Sequence, residues 1–315
     1  MKNFYSVRDV KDLDALLNLT KEIKTSPDQF RRIGDGKTLV LLFFNPSLRT
    51  KLSTQKAGMN LNMQVISMDM KDSWAWEFED GKIMSLTKAE HVREAAKVIS
   101  RYADIIAIRS FPGLEDRESD YQDQVIRQFM KYSEKPVVNL ESCIRHPLQS
   151  LADLFTIGEH VKTKNPKIVL TWAPHPRSLP QAVSNSFLEW MNAAGHSVTV
   201  AHPEGYNLSE EFMKGHQISH NQEEAFADAD FIYVKNWSSV NEYGKILNQS
   251  PDWMVTLDKL NLTNNAKLMH CLPVRRNVVI ADDAMDSEHS IIYDLAENRL
   301  HTAQAVLHQI LEANA

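Results

Sequence analysis

Short apolar runs at residues 39–44, 65–68, 104–108, 136–139, 168–171, 197–201, 231–234 and 291–293 alternate with stretches that carry a helical repeat. Val92, Ala95, Ala96 and Ile99 fall at the i, i+3, i+4, i+7 spacing of one buried helix face. Leu148, Leu151, Ala152 and Phe155 repeat that spacing, and Leu300, Ala303, Val306, Leu307, Ile310 and Leu311 mark a long last helix. Strands alternating with helices predict parallel sheets covered by helices on both faces. The eight runs divide about evenly around residue 147, so the expected fold is α/β with two domains, 1–147 and 148–295. The last helix, 296–315, is expected to cross back to the first domain.

Composition then removes several functions. Lysine and arginine total 35 against 41 aspartates and glutamates, a net charge of −6, which argues against a general nucleic-acid binder. No apolar run approaches the ~20 residues needed to span a membrane, and the first nine residues lack the apolar core of a signal peptide. Two cysteines, Cys143 and Cys271, exclude a disulfide framework and a four-thiolate zinc site. These features suggest a soluble, cytoplasmic protein. Only ten glycines are present, and the segment from Gly34 to Thr38 fits neither a phosphate-binding P-loop nor a dinucleotide fingerprint. Any anion must therefore be held by side chains and a helix N-terminus. Two polar loops, 70–86 with Trp74 and Trp76, and 236–254 with Trp237 and Trp253, lack periodicity and are candidates for function.

Polar residues that directly follow buried runs carry the chemistry, because ligands of open α/β sheets sit at strand C-termini. The first run leads through Asn45 and Pro46 into Ser47, Leu48, Arg49 and Thr50: two hydroxyls, a guanidinium and first-turn amides, which either hold an anion or form a simple serine cap with a surface arginine. Arg109 follows the run at 104–108 and either converges on that anion or is solvated. His146, Pro147 and Gln149 open the helix near the domain junction, placing an imidazole and an amide where both could donate to a carbonyl oxygen. A capping histidine with an exposed glutamine is the plainer alternative. His270, Cys271, Leu272 and Pro273 lack further ligands at zinc spacing, so their use is in main-chain carbonyls. Arg275 and Arg276 either bind a carboxylate or decorate the surface.

These motifs, with Glu297-Asn298-Arg299, occur in the order seen in the aspartate and ornithine carbamoyltransferases, and the chain resembles that family over essentially its whole length. The resemblance implies an active site in the cleft between the domains, with no metal and no cofactor. Ser47, Leu48, Arg49, Thr50 and Arg109 would hold the phosphate of carbamoyl phosphate. His146, Gln149 and Arg299 would hold its carbamoyl group, with main-chain carbonyls at Cys271 and Leu272 accepting from the NH2. The Asp-x-x-x-Ser-Met-Gly segment of ordinary ornithine enzymes is absent, and Lys235-Asn236-Trp237 stands in its place. With Trp74, Trp172, His175 and Arg275, this resembles the N-acylornithine branch, whose substrates have a blocked α-amine and give an aspartate no ammonium to pair with.

Within that branch the residue before Glu90-His91 discriminates. Acetyl-type enzymes carry glutamate there and succinyl-type enzymes a small uncharged residue; this chain has Ala89. The resemblance thus implies carbamoyl transfer to the δ-amine of N-succinylornithine in arginine biosynthesis, with N-acetylornithine as the alternative acceptor and a non-catalytic anion-binding relative as a remote one. Lys235 and Arg275 would meet the succinyl carboxylate, Glu141 the acceptor's amide and Arg177 its α-carboxylate. His146, Arg299 and Arg109 would stabilise developing charge. Cys271, His175 and the phosphate itself are candidate bases. In the family the Trp74 loop reaches into a neighbour's site within a homotrimer.

Overall fold

The computed structural model describes residues 1–85, 87–247 and 250–314; Leu86 of the first polar loop, Asn248 and Gln249 of the second and Ala315 of the last helix lie outside the described residues. The chain divides into two compact units. Residues 1–112, 118–148 and 299–315 form one, and residues 113–117 and 149–298 the other.

The first unit is built on a four-stranded parallel sheet ordered β2-β1-β5-β6, with β1 at Thr38–Phe43, β2 at Gln64–Asp69, β5 at Ile105–Arg109 and β6 at Val137–Glu141. Between β2 and β5, β3 (Trp76–Glu77) and β4 (Glu90–His91) form a separate two-stranded parallel pair. Every residue of β5 and β6 is buried, which explains why they read as continuous apolar runs, whereas edge strand β2 is largely exposed. Val40, Leu42, Ile106, Ile108, Ala95, Phe129 and Trp76 form one core cluster. The helix Val92–Ile99 contributes Val92, Ala95 and Ala96 to that core, the face marked by its spacing.

The second unit carries a five-stranded parallel sheet, β11-β10-β7-β8-β9, with β7 at Ile168–Trp172, β8 at Val198–Ala201, β9 at Gln217–Ser219, β10 at Phe231–Lys235 and β11 at Lys267–Met269. Residues 291–293 are not a strand. Ile291 precedes, and Ile292 begins, the helix Ile292–Ala313; both are buried, Ile292 in the core with Leu268 and Ile280. A three-residue apolar run is too short for periodicity to separate a strand from a helix start. Gly244 shows why glycine is required at one loop position: its φ is +74°, and a Cβ would lie 1.9 Å from the Leu114 carbonyl oxygen.

Candidate functional site

In the first unit the C-terminal ends of β1, β5 and β6 bring together most of the proposed phosphate residues. The helix Arg49–Asn60 starts directly after Leu48, whose apolar side chain does not cap its first amides. Ser47 and Arg49 are half-buried, Thr50 is buried, and the Leu48 side chain is exposed. Arg299, from the last helix, donates through Nη2 to Thr50 Oγ1 at 2.6 Å, joining residues 249 positions apart.

Arg109, the last residue of β5, is 6% exposed. Its Nη1 donates to the carbonyls of Asn45 (3.1 Å) and Pro46, and its guanidinium lies 4.0 Å over the Phe111 ring. Its other edge meets Glu141 Oε2, at 3.1 Å from Nε and 3.0 Å from Nη2. The β5–β6 register shifts between Ile108 and Arg109, which sets Arg109 opposite Glu141. The same Glu141 oxygen lies 3.5 Å from His146 Nε2.

The Glu141 carboxylate holds Arg109 and lies beside His146, and the bulge turns it toward both. The loop leading to His146 is itself pinned: Asp123 accepts from Tyr5 Oη (2.7 Å), Ser142 Oγ (2.6 Å) and Cys143 N–H (2.9 Å). Burial, reinforced by Asp123, pushes the Cys143 thiol far above its ordinary range, so it is no nucleophile.

Trp74 is 62% exposed, and its indole N–H donates to Glu90 Oε2 at 2.9 Å. Ala89 N–H donates to Ala75 carbonyl at 2.9 Å, continuing the β3–β4 pairing. Trp74 and Ala89 are therefore carried on one small ribbon, which the Trp76, Phe44 and Phe129 rings anchor in the core.

In the second unit, the ends of β7, β10 and β11 collect cations. Arg275 Nε donates to His175 Nε2 at 3.3 Å, while His175 Nδ1 lies 2.9 Å from the Arg177 carbonyl. Burial, and then the charges of Lys235, Arg275 and Arg177, hold the His175 imidazole below its usual pKa. His175 is thus neutral, but its lone pair is committed to Arg275, which makes it a poor base and a good support. Arg276 differs from its neighbour, being paired with Asp282 (2.9 Å) and Asp286 (2.6 Å).

His175 and Arg177 line a shallow pocket together with Trp172, Ser178, Tyr206, Asn236, Trp237, Lys245 and Ile246. Trp172 Nε1 donates to the Trp237 carbonyl (3.1 Å) and Trp237 Nε1 to the Tyr206 carbonyl (2.8 Å), so both tryptophans are rigid wall. Sequence reasoning missed Tyr206, Ser178 and Lys245, which follow no periodicity; the polar, tryptophan-bearing character of the 236–254 loop pointed toward Lys245 alone.

Cys271 is buried beside the Tyr233 hydroxyl, whose pKa is raised chiefly by burial and then by Asp153 and Cys271. The turn after Cys271 has Leu272 at φ +56°, with its N–H donating to His270 Nδ1 at 2.8 Å. Gln149 is fully buried, and its Nε2 donates to Asp153 Oδ1 at 2.9 Å. The i, i+4 spacing of Gln149 and Asp153 was the available signal for that pair. Among the described residues, no group of three or more His, Cys, Asp or Glu side chains could hold a metal ion, and no helix is long and apolar enough to cross a membrane.

Residues 2–159 match the family model described as the aspartate/ornithine carbamoyltransferase carbamoyl-P binding domain, and residues 180–310 match the Asp/Orn binding domain of the same family. An N-succinylornithine carbamoyltransferase of Bacteroides thetaiotaomicron is 48% identical over 315 residues, covering 99% of each chain. An N-acetylornithine carbamoyltransferase of Xanthomonas campestris pv. campestris is 37% identical, covering 98% of this chain and 97% of that one. Among solved structures, N-acetyl-L-ornithine transcarbamylase superposes with a TM-score of 0.92 at 36% identity, covering 98% of this chain and all of the other. A variant of that enzyme with one glutamate replaced by alanine, complexed with carbamyl phosphate and N-succinyl-L-norvaline, gives a TM-score of 0.93 at the same identity and coverage.

Proposed function

The chain belongs to the aspartate/ornithine carbamoyltransferase family, and on that premise we propose that it transfers the carbamoyl group of carbamoyl phosphate to the δ-amine of N-succinyl-L-ornithine, giving N-succinyl-L-citrulline and phosphate in arginine biosynthesis. The observation that carries the choice of acceptor is the cation cluster of the second unit. Arg177, Lys235 and Arg275 all bear on His175, and Lys245 and Arg177 line the adjoining pocket. N-succinylornithine presents two carboxylates where N-acetylornithine presents one, and Arg276 is already paired with aspartates. Uncharged Ala89 agrees with this reading, since a glutamate there would repel the second carboxylate.

The chemistry needs no covalent enzyme intermediate. The free δ-amine attacks the carbonyl carbon, a C–N bond forms, the C–O bond to phosphate breaks, and the departing phosphate takes the amine's proton. Arg109, Arg49, Ser47 and Thr50 stabilise phosphate charge, while His146 and Arg299 face the developing oxyanion. The Leu272 turn, held by His270, presents main-chain carbonyls to the carbamoyl NH2. With the base supplied by phosphate, neither Cys271 nor His175 needs to remove the proton. An alkyl ammonium with a pKa of ~10.4 leaves only about one molecule in a thousand as free amine near neutrality. The rate at low acceptor concentration should therefore rise close to tenfold per pH unit between about pH 7 and 9.

Assembly as a homotrimer, with Trp74 completing a neighbour's site, fits the exposed indole on its core-anchored ribbon. It also fits the exposed apolar residues Leu52 and Met59 of the helix Arg49–Asn60 and Ile66 and Met68 of edge strand β2. The deciding experiment assays purified protein with carbamoyl phosphate and each acyl-ornithine, following ureido product. N-succinylornithine should be the better acceptor by at least tenfold; an equal or inverted preference would overturn the acceptor assignment.

A further inference from the structure

Tyr206 ends the turn that follows β8, and its ring, carbonyl and hydroxyl are all engaged. The ring packs on Trp172 with centroids 4.5 Å apart, and the carbonyl accepts from Trp237 Nε1 at 2.8 Å. The hydroxyl reaches a different element: it accepts the backbone N–H of Leu247 at 3.0 Å, across 41 positions of sequence. Leu247 directly follows Lys245 and Ile246, which line the pocket together with His175 and Arg177. The same turn also holds the Leu247 side chain. Gly205 has φ +88°, and a Cβ there would come within 2.8 Å of Leu247 Cδ1. The earlier part of the loop is fastened separately: Val240 N–H donates to the Asn207 carbonyl at 2.9 Å, and the Val240 carbonyl accepts from Arg117 at 3.0 Å. The Lys245 side chain is 69% exposed and pairs with Glu242, three residues back on the same loop, at 2.6 Å. A surface pair within one loop moves with that loop and fixes little. The Lys245 ammonium is therefore placed by its backbone, and that backbone is placed at Leu247.

We propose that Tyr206 is a positioning residue for the acyl-ornithine: its hydroxyl latches Leu247 so that Lys245 lines the pocket and meets a carboxylate of that substrate. This rests on the carbamoyl-transfer reading and adds to it a residue outside the cation cluster around His175. Without the latch, the segment carrying Lys245 samples more positions, and binding must then order it again at an entropic cost. The loss falls on acyl-ornithine affinity. Carbamoyl phosphate, whose phosphate residues belong to the first unit, does not depend on the latch, and neither does the bond-making step.

The test is a double-mutant cycle on the full chain, with Tyr206→Phe, Lys245→Met and both together, reading kcat and the KM of each substrate. Tyr206→Phe keeps the ring on Trp172 and the carbonyl for Trp237, and removes the latch alone. It should raise the KM for N-succinylornithine about fivefold, the worth of one neutral hydrogen bond, while kcat and the carbamoyl phosphate KM move less than about twofold. Lys245→Met should raise the same KM by at least as much. In the Lys245→Met background, Tyr206→Phe should then add less than about twofold, because the latch acts through the ammonium. An equal rise in both backgrounds, an unchanged N-succinylornithine KM in Tyr206→Phe, or a parallel loss in kcat and both KM values would overturn the proposal. Should Tyr206→Phe not fold, Leu247→Pro, which removes the N–H donor rather than the hydroxyl, takes its place in the cycle. A wild type that carbamoylates neither acyl-ornithine would instead defeat the carbamoyl-transfer reading, and dissociation constants for N-succinylornithine would then replace KM in the same cycle.

Discussion

Replacing Glu141 by glutamine separates the two roles the structure gives this carboxylate. Glu141 and Arg109 side chains are each 8% exposed and meet at 3.0 Å, so E141Q strands a buried guanidinium without its counter-charge. Breaking one partner of a buried pair costs ~3–5 kcal/mol. The lower end applies here, because Arg109 keeps the Asn45 and Pro46 carbonyls and the Phe111 face. About 3 kcal/mol in a unit of this size corresponds to a fall in melting temperature of about 6–12 °C. Phosphate then acts to different extents in the two proteins. In wild type it must share Arg109 with Glu141, whereas in the variant it supplies the missing negative charge. Melting curves in a zwitterionic buffer, with and without millimolar phosphate, read both effects. E141Q should melt lower without phosphate and gain more from it than wild type does. A drop of under about 2 °C, or equal gains from phosphate, would show that the pair is not the coupled, buried charge system described.

Arg275→Ala should lower the preference for succinyl over acetyl acceptor by about 10-fold or more, the worth of a charge-assisted hydrogen bond, as measured by the ratio of kcat/KM values; Arg276→Ala, already paired to Asp282 and Asp286, should leave that ratio alone. Burial, with His220 adding to it, pushes the His202 imidazole down to about 4. The unfolded chain binds a proton there below about pH 6.5 while the folded chain does not, so stability should decline as pH falls from about 6.5 to about 4, by up to about 3 kcal/mol, and His202 should contribute no further slope below that. Urea melts across that range should show a smaller decline for His202→Asn. Leu52→Glu, at a 58% exposed position, should convert a trimer seen by light scattering into monomers and remove most activity without lowering the phosphate affinity of the isolated subunit; a wild-type protein that is monomeric and fully active would end the shared-site idea.

The residues that carry charge to the ligands were legible because each directly follows a buried parallel strand, where an apolar run stops and an arginine, histidine or lysine begins. Arg109, Lys235 and the His270–Leu272 turn all stand at such ends. What those side chains hold on to was not legible, because partner choice is set by register. Glu141 faces Arg109 through one bulge in β5–β6 pairing, and an unbulged ladder would have sent it elsewhere. The ribbon under Trp74 escaped for a related reason: two-residue strands have no period to detect, and only the pairing of Trp76 with Glu90 reveals them. Gln149 is the instructive middle case. Its place in the first turn after Pro147 was plain, and so was the carboxylate four residues on. Yet whether the amide donates or accepts depends on burial, since an exposed pair would flip freely and only a dry one has a single orientation. Spacing thus names the residues of such a site, and the loss of water at each of them decides which chemistry they can offer.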